Sequence, residues 1–178
     1  KKFVALSVGQ FAAAYTAVPR DDRHAYEVLQ ARRPCWPFFD LECDRGPDTA
    51  TEALAQEIIE AGATELRRIG ASGRIVTVAL QSHRPRRFSK HLVLRGHVLS
   101  GDRDVVAPLR GLGDARAFAE RVRCHVSAAA ALLIDMGVYG DRRAFRLVGS
   151  SKLADAHATP LLADGAAAAP RGPPGATP

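Results

Sequence analysis

Two acidic residues, Asp40 and Glu42, alternate with apolar residues in the stretch from Pro37 to Cys43. Side chains two residues apart share one face of a β-strand, so these carboxylates would project together, about 7 Å apart. Neighbouring carboxylates repel each other, and a site that holds both usually holds a cation between them. Oxygen ligands of this kind suit Mg²⁺ or Mn²⁺, so the stretch indicates a metal-binding strand.

The same pattern also describes an ordinary amphipathic strand. Phe39, Leu41 and Cys43 would project from the opposite face and pack into the core. The acid pair would then be the solvated face of that strand. The pair alone leaves a metal site and a solvated face as open alternatives.

A serine and a histidine, Ser89 and His91, are also spaced two residues apart in an apolar stretch. On one face of a strand, their hydroxyl and imidazole could both donate hydrogen bonds to phosphate oxygens. Arg87 directly precedes them and would add positive charge. The alternative is a histidine satisfied within the fold beside a solvated basic loop.

A single aspartate, Asp135, follows the apolar run at residues 132–134. An acid at the edge of a core can be aimed and held rigidly, as metal ligation requires. Arg143, Arg146 and Lys152 place three cations close behind it. The alternatives are an ordinary turn aspartate and a solvated basic face.

Composition narrows the class of protein. The chain has 178 residues, which fits one domain or a domain with a tail, and its 47% apolar content is enough for a core. The formal net charge is +6, and a basic surface favours polyanions such as nucleic acids. An arginine-rich surface without such a partner fits the composition equally well.

The cysteines and the hydropathy indicate an intracellular protein that does not enter a membrane. Cys35, Cys43 and Cys124 show no C-x-x-C spacing, so no zinc ribbon is readable and a reducing compartment is expected. No apolar run approaches the length of a membrane span.

The remaining pattern predicts an α/β fold, with helices beside mixed or antiparallel sheet. Strands are expected over residues 3–8, 24–29, 74–80, 88–94 and 144–148. One helix is expected to begin at Thr49, with Thr49 and Glu52 as a capping box. A second is expected from Gly113 to about Leu133, with Asp114 as its N-cap. Residues 154–178 are rich in Ala, Pro and Gly, which predicts a disordered tail or linker.

The order of these motifs, an acid pair, Ser-x-His and then a lone aspartate followed by cations, resembles the archaeo-eukaryotic primase superfamily. The chain is most similar to its primase-polymerase (PrimPol) branch. Asp40-Leu41-Glu42 resembles the first family motif and Phe88-Ser89-Lys90-His91-Leu92 the second. The stretch from Ile134 to Lys152 resembles the third, and the likeness extends over residues 1–153.

The resemblance implies a catalytic core over residues 1–153, built of two small α/β modules that flank a cleft. It implies a DNA primase or DNA polymerase that adds nucleotides to a 3′-hydroxyl by a two-metal mechanism, in damage tolerance or repriming of replication. The implied metal ligands for two Mn²⁺ or Mg²⁺ ions are Asp40, Glu42 and Asp135. The implied contacts to the nucleoside triphosphate are Ser89, His91, Arg87, Arg143, Arg146 and Lys152, with Arg146 either such a contact or a support for the acids.

The implied partners are template DNA, a primer strand and nucleoside triphosphates, with no membrane. A single-strand-binding protein could be contacted through regions outside this chain, and the nucleus or mitochondrion is the implied location. The residues alone leave two other functions open. One is a metal-dependent nuclease, since acid clusters with a histidine also cleave phosphodiesters. The other is a non-catalytic nucleic-acid-binding module.

Overall fold

A computed structural model describes most of the chain up to residue 146. The residues described are 5–19, 22–82, 84–100, 103–105, 109–140, 143–146, 150 and 162–163. The fold is mixed α/β, with antiparallel sheets and with helices and strands interleaved along the chain. The predicted α/β class is therefore confirmed at this level.

The helices and strands alternate in chain order. The helices are α1 (Val8–Ala17), α2 (Thr49–Arg68), α3 (Leu112–Arg123) and α4 (Ala128–Leu133), followed by a 3₁₀ turn at Met136–Tyr139. The strands are β1 (Tyr26–Val28), β2 (Phe38–Cys43), β3 (Ala71–Gln81), β4 (Phe88–Ser100), β5 (Arg103–Val105), β6 (Ala144–Arg146) and β7 (Leu162–Ala163). Among the described residues, no helix combines the length and apolar content needed to cross a bilayer.

The strands pair antiparallel in two sheets. The larger sheet has the order β2-β4-β3-β7, with β5 also paired to β4, and the smaller one pairs β1 with β6. Strands β3 and β4 form a hairpin, joined through the turn at Arg84–Arg87. The hairpin therefore places β4 in the middle of the larger sheet, beside the acidic strand β2.

One face of the larger sheet carries the core. Phe39 and Leu41 of β2 are fully buried, as the alternating pattern predicts, and the Phe39 ring lies 6.1 Å from that of Phe118 on α3. Helix α2 packs closely on this face at Gly62, where an added Cβ would lie only 2.5 Å from Leu94 Cδ1. The acids of β2 therefore project from the opposite face.

The predicted long helix from Gly113 to Leu133 is wrong, because the chain forms α3 and α4 with a break between them. Ser127 begins α4 by accepting a hydrogen bond from the Ala130 amide, at 3.2 Å. Its own amide and hydroxyl donate to the Glu57 carboxylate of α2, at 2.5 and 2.8 Å. This contact fixes the break and depends on a residue distant in the chain.

Two predicted helix caps and one predicted strand are also wrong. Asp48, not Thr49, is the N-cap of α2 and accepts from the Thr51 amide at 2.6 Å. Asp114 does not cap α3; its carboxylate accepts from the Arg110 amide at 3.0 Å. Residues 5–7 form no strand, because Ser7 forms a capping box that begins α1.

The other predicted strands are present with shifted bounds, as β1, β3, β4 and β6. Phe3, Val4, Leu147 and Val148 lie outside the described residues. Of the predicted tail, residues 162–163 are described and pair with β3 as β7, whereas its other residues lie outside the described part.

A buried glutamate, Glu65, joins α2 to α3. Its carboxylate accepts hydrogen bonds from Arg68 Nε, at 2.6 Å, and from Arg121 Nε. The hydrogen bond from Arg68, aided by Arg121, lowers the pKa of Glu65 to about 2 although burial opposes this shift. Since the unfolded pKa is about 4.3, ionised Glu65 stabilises the fold above that pH, and the contribution is lost as the pH falls toward about 2.

We therefore expect Glu65→Gln to lower the free energy of unfolding by on the order of 2 kcal/mol at pH 7. The difference from the wild type should shrink as the pH is lowered from 5 to 2, which denaturant titrations at a series of pH values would measure. Glu120→Gln is the matched control, because Glu120 is an exposed partner of Arg116 on α3. If the difference in free energy of unfolding stayed constant with pH, ionised Glu65 could not be the source of this stabilisation.

Candidate active site

The register of β2 against β4 places the acid pair beside the Ser-x-His pair. Asp40 lies opposite His91, and Glu42 lies opposite Ser89. Residues directly opposite in an antiparallel pair project from the same face. The two motifs therefore share the face of the sheet that points away from the core.

The third acid, Asp135, is held beside Asp40 by a backbone hydrogen bond. Its amide donates a hydrogen bond to the Asp40 carbonyl oxygen at 2.8 Å. The preceding residue, Ile134, is buried and forms a β-bridge with Leu41. Asp135 thus lies at the edge of the core, as the sequence predicted, and next to Asp40.

The three acids line one cavity of about 370 Å³. The other residues that line it are His91, Arg143, Arg146, Tyr26, Gly137, Val138, Ala144 and Phe145. The cavity lies where the smaller sheet, with β1 and β6, meets the acidic face of the larger one. The fold therefore gathers three acids, a histidine and two arginines that are widely separated in sequence.

His91 is held between an acid and an aromatic ring. Its Nε2 lies 3.4 Å from Asp40 Oδ1, and its ring stacks on Phe145 with centroids 4.2 Å apart. Both the histidine and the aspartate side chains are nearly buried. These contacts fix the imidazole plane, so His91 presents its nitrogens in a defined direction.

Glu42 is paired with an arginine that the sequence assigned to phosphate binding. Arg87 Nη2 donates to Glu42 Oε2 at 2.5 Å, and this hydrogen bond raises the pKa of Arg87. Both side chains are partly exposed. Arg87 therefore lies against an acid at the edge of the site, where its charge offsets that of Glu42.

The Asp135 carboxylate is oriented by the turn that follows it. Asp135 Oδ1 accepts a hydrogen bond from the Gly137 amide at 2.8 Å. An added Cβ on Gly137 would lie 3.0 Å from the same oxygen. A glycine at this position leaves room for the carboxylate beside the amide that holds it.

Only some of the residues predicted to contact phosphate line the cavity. Arg143 and Arg146 line the cavity, whereas Ser89 is buried and is not among the lining residues. The Ser89 hydroxyl instead accepts a hydrogen bond from Ser82 Oγ, at 3.3 Å. Lys152 lies outside the described residues.

The acids fit divalent cations by their chemistry and by their shared cavity, since Mg²⁺ and Mn²⁺ prefer carboxylate oxygens. Asp40, Glu42 and Asp135 are the residues that could hold them. Within the described ranges, however, no three His, Cys, Asp or Glu side chains are gathered into a metal-binding group. The acids are engaged with His91, Arg87 and the Gly137 amide.

Some residues of the site have no clear signal in the sequence. The Tyr139 hydroxyl donates to the Phe38 carbonyl oxygen at 2.6 Å, and burial raises its pKa. The ring of Tyr139 also contacts that of Phe38, which in turn meets Phe145 edge-on. These rings form an apolar wall beside the acids. In the sequence, Tyr139 and Phe145 were marked only by belonging to the long third motif.

Comparison with known proteins adds no family assignment. No protein-family model matches the chain, and no curated protein matches it significantly.

Proposed function

We propose that this chain carries the catalytic core of a template-directed nucleotidyltransferase, similar to the primase-polymerase branch of the archaeo-eukaryotic primases. The supporting observation is the convergence of Asp40, Glu42 and Asp135 on one cavity that also contains His91 and Arg146. The larger and smaller sheets on either side of the cavity would be the two α/β modules. Residues 1–153 would form the catalytic unit.

The proposed reaction is attack by a primer 3′-hydroxyl on the α-phosphate of a nucleoside triphosphate, with release of pyrophosphate. Asp40, Glu42 and Asp135 would hold two divalent cations. When bound, these ions lower the pKa of the attacking hydroxyl and neutralise the triphosphate. Glu42 would exchange Arg87 for a cation, and the released guanidinium would be available to the substrate.

The cationic residues would stabilise the negative charge of the phosphates. Arg146 is almost completely buried, and burial lowers its pKa while Asp40 and Glu42 oppose this shift. A guanidinium in such a poorly hydrated site acts more strongly on a phosphate than one in water. His91, with its ring fixed by Phe145, would donate to a phosphate oxygen.

Template DNA would be recognised mainly through its backbone, and base pairing would select the nucleotide. The net charge of +6 supports such contacts. Binding of a primed template should then weaken as salt is raised, because phosphate contacts release counterions.

The test is extension of a labelled primer on a DNA template, with Mn²⁺ or Mg²⁺ and each nucleotide supplied singly. We expect extension only by the nucleotide complementary to the template, and none with EDTA. An unprimed template and a damaged template in parallel would test repriming and damage tolerance. No extension in either metal would overturn the proposal. Nucleotide-independent shortening of the primer would instead indicate a nuclease, and DNA binding alone a non-catalytic module.

Gly137→Ala should lower the rate of incorporation, because the new methyl group would displace the Asp135 carboxylate. A shift of about 1 Å in a reacting group can cost roughly 100-fold in rate. The carboxylate need move by only a few tenths of an ångström, so a smaller fall in kcat, of about 3- to 10-fold, is expected. Gly113→Ala is the matched control, since a Cβ there meets no atom within 4 Å. An unchanged kcat in a folded Gly137→Ala protein would show that Asp135 needs no such orientation.

A further inference from the structure

A buried chain of hydrogen bonds runs behind the cavity from Arg146 through Ser82 to Ser89. Arg146 Nη2 donates to Ser82 Oγ at 2.7 Å, and Ser82 Oγ donates to Ser89 Oγ at 3.3 Å. Arg146, Ser82 and Ser89 are 6%, 8% and 4% exposed. These hydrogen bonds link both sheets, because Arg146 is on β6, Ser89 is on β4 and Ser82 directly follows β3.

Ser82 occupies the central place in this chain. A serine hydroxyl can accept and donate at once, and here it accepts from the arginine and donates to the serine. The Ser82 backbone is also fixed, since its amide donates to the Ser89 carbonyl oxygen at 3.0 Å. The hydroxyl therefore has a defined position from which it can orient the long Arg146 side chain.

Arg146 lines the cavity, and the Ser82 hydroxyl accepts a hydrogen bond from its guanidinium there. A guanidinium at a cavity wall can donate charge-assisted hydrogen bonds to an anion. Ser82 thus orients a group that could bind an anion in the cavity.

We propose that Ser82 is a positioning residue, which sets the Arg146 guanidinium for the phosphates of a nucleoside triphosphate. This inference rests on the proposed function, because it takes the anion to be the substrate of that reaction. Ser82 acts through Arg146, from whose Nη2 it accepts a hydrogen bond. Loss of its hydroxyl should therefore weaken binding of the triphosphate much more than it slows the chemical step.

The first test is steady-state primer extension by the full chain at varied nucleotide concentration. Ser82→Ala should raise the nucleotide KM about tenfold, the effect of losing one hydrogen bond to a charged group, with kcat changed less than about threefold. Ser82→Thr, which keeps the hydroxyl, should restore the KM. Ser127→Ala is the matched control, because it removes a capping hydroxyl on α4 and should leave the KM unchanged.

A double-mutant cycle tests whether Ser82 acts through Arg146. In an Arg146→Lys background, Ser82→Ala should add less than about twofold to the KM, because the oriented guanidinium is already gone. Fully additive effects, or an unchanged KM in Ser82→Ala, would overturn the inference. If Ser82→Ala fails to fold, Ser82→Cys replaces it, because a thiol has a similar volume and forms only weak hydrogen bonds. The same changes in KM are then expected, and the same results would overturn the inference.

Binding of inorganic tripolyphosphate, measured by calorimetry, separates this inference from the proposed function. Weaker binding by Ser82→Ala than by the wild type supports the role of Ser82 even if the wild type extends no primer, a result that would overturn only the proposed reaction. Equal binding by the two proteins, or no binding by the wild type, overturns the role of Ser82 even if the wild type is an active polymerase.

Discussion

Asp135→Asn is expected to lower the rate of nucleotide incorporation by about a thousandfold and to leave the protein folded. The substitution removes the negative charge with which Asp135 would bind a cation, and loss of several kcal/mol of charge stabilisation gives a rate effect of this size. The fold should persist, because an amide oxygen can still accept from the Gly137 amide and the backbone bond to Asp40 is untouched. Primer extension and thermal unfolding measure the two effects separately.

Asp114→Asn is the matched control for this prediction. Asp114 is an acid on α3 that pairs with the exposed Arg110 and does not line the cavity. Its conversion to an amide should leave incorporation within about twofold of the wild type, because a surface ion pair contributes little. A folded Asp135→Asn protein that extends primers at the wild-type rate would remove Asp135 from the mechanism.

Phe39→Ala is expected to destabilise the protein by about 3–5 kcal/mol, the range for truncation of a buried phenylalanine. The Phe39 ring is fully buried between Gly62 of α2 and Phe118 of α3, so its loss leaves a cavity at the centre of the core. Chemical denaturation would measure the effect. Because a typical domain is stable by only about 5–15 kcal/mol, the variant should also unfold at a much lower temperature.

Leu132→Ala provides the comparison for the core prediction. Leu132 is 80% exposed on α4, and truncation of an exposed side chain changes stability by less than about 0.5 kcal/mol. A destabilisation below about 1 kcal/mol in Phe39→Ala would show that β2 is not held by this packing. The result matters for the site, because β2 carries the acids on its other face.

Elements governed by local pattern could be predicted from the sequence. The alternation in β2 predicted that Phe39 and Leu41 are buried. It did not predict that Phe38, on the face of the acids, is buried as well. The helical period likewise predicted α2. The break between α3 and α4 could not be predicted, because Ser127 is held by Glu57, a residue of another helix.

The same limit applies to the site. Motif order suggested that Asp40 and Asp135 would converge, and a backbone hydrogen bond does place them side by side. The pairing of Arg87 with Glu42 depends on the register of β4 against β2, which no local pattern specifies. No sequence motif included Ser82, and its contact with Arg146 arises where the two sheets meet.

Binding of Mn²⁺ in the presence of a non-hydrolysable nucleoside triphosphate tests the metal assignment most directly. Electron paramagnetic resonance would count the bound ions in the wild type, in Asp40→Asn and in the control Asp114→Asn. The proposed mechanism predicts two ions bound to the wild type and to the control, with at least one lost in Asp40→Asn. The same occupancy in Asp40→Asn as in the wild type, or no bound Mn²⁺ in any of them, would contradict it.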